Sequence, residues 1–259
     1  MPEPLFDRGQ LKAIVFDLDG TLYRQDSLRR AMVLRLLRAH TTRPLSGLRT
    51  FRVLAAYRQA QERLRESATS SATRTDLAEA QLRLTCARTK AEPAFVTECV
   101  VRWMEQEPLA LLARFLQPGL LDFVYACKAH GLRLGVLSDY PADAKLKALG
   151  LDRLIDVVLA AQSPEVGVFK PHPRGLLLAA RRLGASPQEC LYVGDRADVD
   201  GPAAIAAGMA CFIVTRRRDS RSPQPWVEVA GYPQLRDLVL GLRDSRTAVA
   251  AAQPSLHRR

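Results

Sequence analysis

The sequence predicts an α/β chain: a doubly wound parallel sheet, interrupted after its first strand by a long helical insertion. Three observations carry this. Short apolar runs at 13–16, 133–138, 156–160, 190–194 and 210–214 alternate with helical patterns from Pro118 onward, the order that builds a parallel sheet. The stretch 24–116 lacks such runs and is rich in Leu, Ala, Arg, Gln and Glu, a helical composition. Third, carboxylates or a hydroxyl follow three of the apolar runs. In open α/β sheets, the carboxyl edge of the strands is where ligands bind.

The first run, Ala13-Ile14-Val15-Phe16, is continuously apolar, as a strand covered on both faces must be. Asp17-Leu18-Asp19-Gly20-Thr21 ends it. Two carboxylates two residues apart point the same way along a pleat. Burying both requires a cation or a shared proton, because like charges repel. A divalent metal with one nucleophilic and one proton-shuttling carboxylate is the simplest reading. A calcium loop is excluded. Opening at Asp17, it needs Gly at position six and Glu at position twelve, where the chain has Leu22 and Leu28.

Within the insertion, helices are expected over 28–39, 48–66, 76–88 and 94–105. The Ser/Thr-rich link 69–75 and Pro44, Pro93 and Pro108 separate them. After Pro118-Gly119 come helix 120–130, strand 133–138, helix 142–149, strand 156–160, helix 173–183, strand 190–194, helix 202–207 and strand 210–214. The tail beyond Leu242 reads as loosely ordered.

Three later segments bring chemistry to the same sheet edge. Strand 133–138 ends in Ser138, and Asp139-Tyr140-Pro141 turn the chain. Lys170 precedes Pro171, and strand 190–194 runs into Asp195, with Asp198 and Asp200 following. Singly, each has a plain reading: Ser138 as a helix cap, Lys170 as a solvated charge, Asp198 and Asp200 as acids favouring a helix amino terminus.

Taken together and in order, FDLDGT at 16–21, LSDYP at 137–141, VGVFKPHP at 166–173 and VGDRADVDGPAAIAAGM at 193–209 resemble the haloacid dehalogenase superfamily. The resemblance is to its phosphatase branch with a helical cap of the subfamily I type. It implies a Rossmann-like core over 1–23 and 117–242, a cap over 24–116 and a tail over 243–259. It also implies a Mg²⁺-dependent phosphomonoester hydrolase acting on a phosphorylated small molecule. Asp17 would be the nucleophile, forming an aspartyl-phosphate, and Asp19 the general acid and then base. Ser138 and the Asp139 amide would bind the phosphoryl group, and Lys170 would neutralise its charge. Asp17, the Asp19 carbonyl and Asp195 would hold Mg²⁺, and Asp200 would be a further acidic residue orienting that site. Asp198 matches no motif position clearly. A phosphotransferase or sugar phosphomutase would share these residues, and a non-catalytic polyanion-binding relative is the alternative from another class. A dehalogenase is disfavoured, since those relatives lack an acid at the position of Asp19.

Charge and cysteine complete the reading. The chain carries a formal net charge of +11. Between Arg24 and Arg65 stand eleven arginines, no lysine and two acids, a net +9. Solvated helix faces, capture of a polyanionic substrate, or docking on nucleic acid or an anionic membrane would each use them. On helix 28–39 the arginines do not separate from the apolar residues as an interfacial helix requires, and no aromatic-interleaved basic stretch suggests base stacking. Arg24, just past the Asp17 turn at the hinge, is the first candidate for facing the site. Five scattered cysteines form no metal motif and read as buried thiols in a reducing compartment. With no signal pattern in the first residues and no apolar run of membrane-spanning length, the expectation is a cytoplasmic protein.

Overall fold

The computed structural model describes residues 8–68, 76–215 and 225–241. The expected link 69–75 and the tail beyond Leu242 lie outside them. Six parallel strands form one sheet in the order β3-β2-β1-β4-β5-β6. They are β1 Ala13–Phe16, β2 Arg133–Ser138, β3 Val157–Ala160, β4 Cys190–Gly194, β5 Ala210–Val214 and β6 Val227–Val229. β1 lies at the centre, pairing Ala13 with Arg133 on one side and with Cys190 on the other.

Alternation along β1 explains why both sheet faces are covered. Ile14 and Phe16 point to one side, where helices α6 (Leu120–Ala129), α7 (Asp143–Ala148) and α10 (Tyr232–Leu240) contribute Phe123, Leu146 and Leu235. The Phe16 and Phe123 rings meet edge to face at 6.2 Å. Ala13 and Val15 point to the other side, onto α8 (Arg174–Arg182) and α9 (Asp200–Ala207) through Leu176, Ala179, Ala203 and Ala204. Each fully buried aliphatic or aromatic side chain contributes about 1.5–3 kcal/mol of transfer free energy. The sheet edge above is therefore a rigid platform.

The insertion comprises α1 (Gln25–Ala39), α2 (Pro44–Ala68), α3 (Leu77–Thr89), α4 (Pro93–Val100) and α5 (Leu109–Leu112). A π turn over Val101–Gln106 follows α4, and a 3₁₀ turn over Ala113–Phe115 follows α5. It has an apolar cluster of its own, with Leu36, Val53, Tyr57, Val96 and Trp103 among its members. Entry and exit lie side by side: the Arg24 N–H donates to the Phe115 carbonyl at 2.8 Å, and the Gln117 N–H to that of Leu22 at 3.0 Å. The insertion thus hangs from the core on two adjacent strands of backbone.

Two expectations need correction. The helix expected over 48–66 begins earlier, at Pro44, and runs to Ala68; proline suits the first helical turn, where its missing N–H has no partner to lose. The expected helix 94–105 is divided between α4 and the π turn. Beyond the expected elements stand β6 and α10. Tyr232, fully buried at the start of α10, donates its hydroxyl to the Thr21 carbonyl at 3.0 Å, so this late helix braces the turn that carries Asp17. No helix among the described residues is long and apolar enough to cross a membrane. All five cysteines are free thiols, four of them buried.

Candidate active site

The site sits on the carboxyl ends of β1, β2 and β4. Asp17 follows β1 directly, its N–H held by the Val193 carbonyl at 2.8 Å. Lys170, only 4% exposed, donates to Asp17 Oδ1 at 2.6 Å, to Asp200 Oδ1 at 2.8 Å and to the Tyr192 hydroxyl at 2.9 Å. Thr21 Oγ1 donates to Asp17 Oδ2 at 3.2 Å. Carboxylate oxygens of Asp17, Asp195 and Asp200 lie within 4.8 Å of one another.

Their environments differ although their chemistry is the same. Burial pushes Asp17 well above the usual carboxylate range, against the opposing charge of Lys170. Burial, with Asp200 nearby, pushes Asp195 up to about 7. Burial also acts on Asp200, but Lys170 and backbone N–H donors override it and hold the group low. Asp200 Oδ1 accepts from Lys170 and Tyr192. Its Oδ2 accepts from the N–H groups of Asp195 at 3.1 Å and Arg196 at 3.0 Å. With both oxygens engaged, Asp200 shapes the loop that presents Asp195. Arg196 points outward to Glu62 and Asp198. Buried Asp17 and Asp200 therefore share one close cation, Lys170, with the half-buried Asp195 beside them, and a hard divalent ion such as Mg²⁺ fits among the oxygens of Asp17 and Asp195.

Gly20 makes the crowding possible. Its φ is +107°, and a Cβ there would stand 2.0 Å from Asp195 Oδ2. Gly20→Ala is expected to displace Asp195 and to destabilise the fold by at least about 1–3 kcal/mol from the backbone strain alone. Divalent-ion binding by calorimetry and a thermal melt would read both effects.

Asp19 stands apart from the cluster. Its Oδ1 accepts from Lys145 at 2.7 Å and from the Tyr23 hydroxyl. Burial raises its pKa, but the Lys145 charge wins and holds it below the usual value. Ser138, at the end of β2, is 1% exposed, and its Oγ accepts the Tyr140 N–H at 3.3 Å. Asp139 Oδ2 accepts from Arg65 at 2.7 Å and Gln61 at 2.8 Å. Arg65 also donates to the Lys170 carbonyl at 2.9 Å, so one side chain of α2 ties two core loops together. Tyr192, Lys145, Tyr23 and Arg65 were not expected from the sequence. Only Tyr192 had a legible signal, since a tyrosine inside a buried strand needs a partner for its hydroxyl.

Between this edge and the insertion lies a cavity of about 750 Å³, within the range of small-molecule sites. Asp17, Asp19, Asp139, Lys170, Asp195 and Asp200 line it; Ser138 does not. Arg24 does not face it either, contrary to expectation: its Nη2 reaches back to the Arg114 carbonyl at 3.4 Å. Residue 24 precedes α1, so its side chain follows the hinge strands. Arg29, Arg58, Arg63 and Arg65 line the cavity instead.

A family model described as haloacid dehalogenase-like hydrolase matches residues 11–208. The glyceraldehyde 3-phosphate phosphatase of Methanopyrus kandleri is 30% identical over 210 residues, covering 80% of this chain and 84% of that protein. The phosphoglycolate phosphatase of Escherichia coli is 40% identical over 97 residues, 36% of this chain and 37% of the relative. Among solved structures, the L-2-haloacid dehalogenase RSc1362 superposes with a TM-score of 0.61 at 21% identity, covering 89% of this chain and 99% of that one. A HAD phosphatase from Thermococcus onnurineus superposes at 0.58 with 22% identity, covering 90% and 100%. The chain belongs to the haloacid dehalogenase-like hydrolases, in their phosphatase branch.

Proposed function

We propose that the protein hydrolyses phosphomonoesters with Mg²⁺, through an aspartyl-phosphate on Asp17, and that the insertion 24–116 covers the site as a cap. The observation that carries this reading is the buried contact of Lys170 with Asp17, 2.6 Å long, beside Asp195. A carboxylate attacking a phosphoryl group brings negative charge against negative charge, and Lys170 lowers that repulsion where it develops. Held by Asp17, the Asp19 carbonyl and Asp195, Mg²⁺ would supply further positive charge to the phosphoryl oxygens.

In the first step, an Asp17 oxygen bonds to phosphorus, the ester P–O bond breaks, and Asp19 gives its proton to the departing alkoxide. In the second, Asp19, now a carboxylate, takes a proton from water. The water oxygen bonds to phosphorus, and phosphate leaves with Asp17 restored. Lys145 and Tyr23 both donate to Asp19 Oδ1 and hold its pKa below the usual value, which favours the carboxylate that serves as base in the second step. Ser138 acts from the end of β2 by ordering the turn 138–140, and with it the Asp139 amide that would face the phosphoryl oxygens.

Small phosphorylated metabolites are the substrate class, in keeping with the names of the two relatives. The free, buried thiols support residence in the cytoplasm.

Activity towards an aryl phosphate is expected to vanish after metal removal with a chelator and to return with Mg²⁺. Full activity after exhaustive removal would sink the mechanism. Asp19→Asn should slow alkyl ester hydrolysis by about 10²–10⁴-fold. It should slow an activated aryl phosphate much less, because that leaving group needs no proton. Equal losses on both would remove Asp19 from the acid's role.

A further inference from the structure

Resting on the phosphatase reading, the cavity also indicates what the rest of the substrate looks like. Above the carboxylate floor, Arg29 of α1 and Arg58 of α2 line the cleft. Neither side chain makes a hydrogen bond or ion pair with any described residue. The acids nearby are committed elsewhere. Asp19 is taken by Lys145 and Tyr23, Asp139 by Arg65, and Glu62 by Arg65 and Arg196. Burial in the cleft, and then the charge of Arg29, push the pKa of Arg58 down. Two guanidiniums that repel each other in one cleft, neither of them paired with a protein carboxylate, are suited to an anion brought by a ligand. Their planar forks match a carboxylate or phosphate.

Beyond the arginines the wall turns apolar. Leu28, Met32 and Leu36, at helical spacing on α1, line the cavity together with Leu54 of α2, Trp103 and Met104. At the mouth, Val33 and Phe51 line the cleft while remaining 47% and 51% exposed. The apolar surface therefore runs from inside the cavity out to solvent. A two- or three-carbon phosphate would leave it unused.

We propose that this site takes an amphipathic phosphomonoester: the phosphate at Asp17 and Lys170, a second anionic group between Arg29 and Arg58, and an apolar body along α1 and α2. A charged group and a greasy chain on one small molecule would each meet a wall of matching chemistry.

Four probes separate the two features: ethyl phosphate has neither, phosphoglycolate only the second anion, octyl phosphate only the chain, and N-octanoyl-O-phosphoserine both. The last should show the highest kcat/KM, about ten-fold or more above either single-feature probe, as one charge-assisted contact or a few buried methylenes would give. The double variant Arg29→Gln/Arg58→Gln should lower the ratio of carboxylate-bearing to carboxylate-free probes about ten-fold, through KM rather than kcat. Val33→Ser/Phe51→Ser, at half-exposed positions that do not hold the fold together, should lower the ratio of octyl-bearing to octyl-free probes instead. Equal kcat/KM for all four probes, or variants that change all four alike, would overturn the proposal. Calorimetry of N-octanoyl-O-phosphoserine with Asp17→Asn protein reads the subsite without turnover. If the unmutated protein hydrolyses neither these probes nor a small aryl phosphate, the phosphatase reading fails and calorimetry decides the subsite. Binding weakened about ten-fold by the arginine double variant keeps it; absent or unchanged binding ends it.

Discussion

Asp17→Asn protein should turn over any phosphomonoester at least about 10⁴-fold more slowly than the unmutated chain, a barrier increase of about 5 kcal/mol. A carboxamide is a poor nucleophile, and the loss falls on the group proposed to form the covalent intermediate. The replacement is nearly isosteric. Its oxygen can still accept from Lys170, and its amide can face the Thr21 hydroxyl, which has lone pairs to accept with. The fold should therefore survive, and a melting curve checks that. Rapid quenching with ³²P-labelled substrate should leave label on the unmutated protein in a hydroxylamine-sensitive bond, and none on the variant. Label still bound to Asp17→Asn protein would place the nucleophile elsewhere.

Lys170→Met should be costly in a different way. Methionine keeps most of the stem but not the nitrogen, which sits 5.6 Å from the Tyr192 ring centroid. What it removes is the cation between Asp17 and Asp200, 2.6 and 2.8 Å away. Breaking a buried ion pair from one side costs about 3–5 kcal/mol, a large part of the 5–15 kcal/mol that holds a typical domain together. The urea midpoint should fall in the presence of chelator with little change in slope. Mg²⁺ should recover more stability in the variant than in the unmutated protein, because it restores positive charge among the same oxygens. Unchanged stability in chelator would mean that the carboxylates are already neutral, and the electrostatic account of the site would fail.

Legibility differed between elements for physical reasons. β1 and β4, and β2 after the exposed Arg133, are buried on both faces, so each has an apolar run that stands out from a single window of sequence. β6 is three residues long, and Glu228 at its centre pairs with Ile213. Nothing within Val227-Glu228-Val229 marks it as a strand; its place comes from the open edge of β5. Helix α10 carried a local signal, Gly231 before it, Pro233 in its first turn and Gly241 after it. Without its packing on Phe123 the signal gives no position.

The active-site residues divide in the same way. Asp17, Asp195 and Asp200 were readable because each follows a strand or opens a helix at the sheet's carboxyl edge, and Lys170 because it lies in the loop between β3 and α8 at that edge, where chain order and topology suffice to bring them together. Residue type and spacing along the chain determine that much. They do not determine which way a helix is turned about its own axis. Arg24, Arg29, Arg58 and Arg65 are alike in the sequence, yet Arg65 clamps Asp139 and the Lys170 carbonyl, Arg29 and Arg58 line the cleft, and Arg24 turns to the hinge. The rotation of α1 and α2 that separates these roles is set where Leu36, Val53 and Tyr57 pack against Val96, Val100 and Trp103. Those contacts join residues far apart in the chain, so only the folded structure decides which arginines line the cleft.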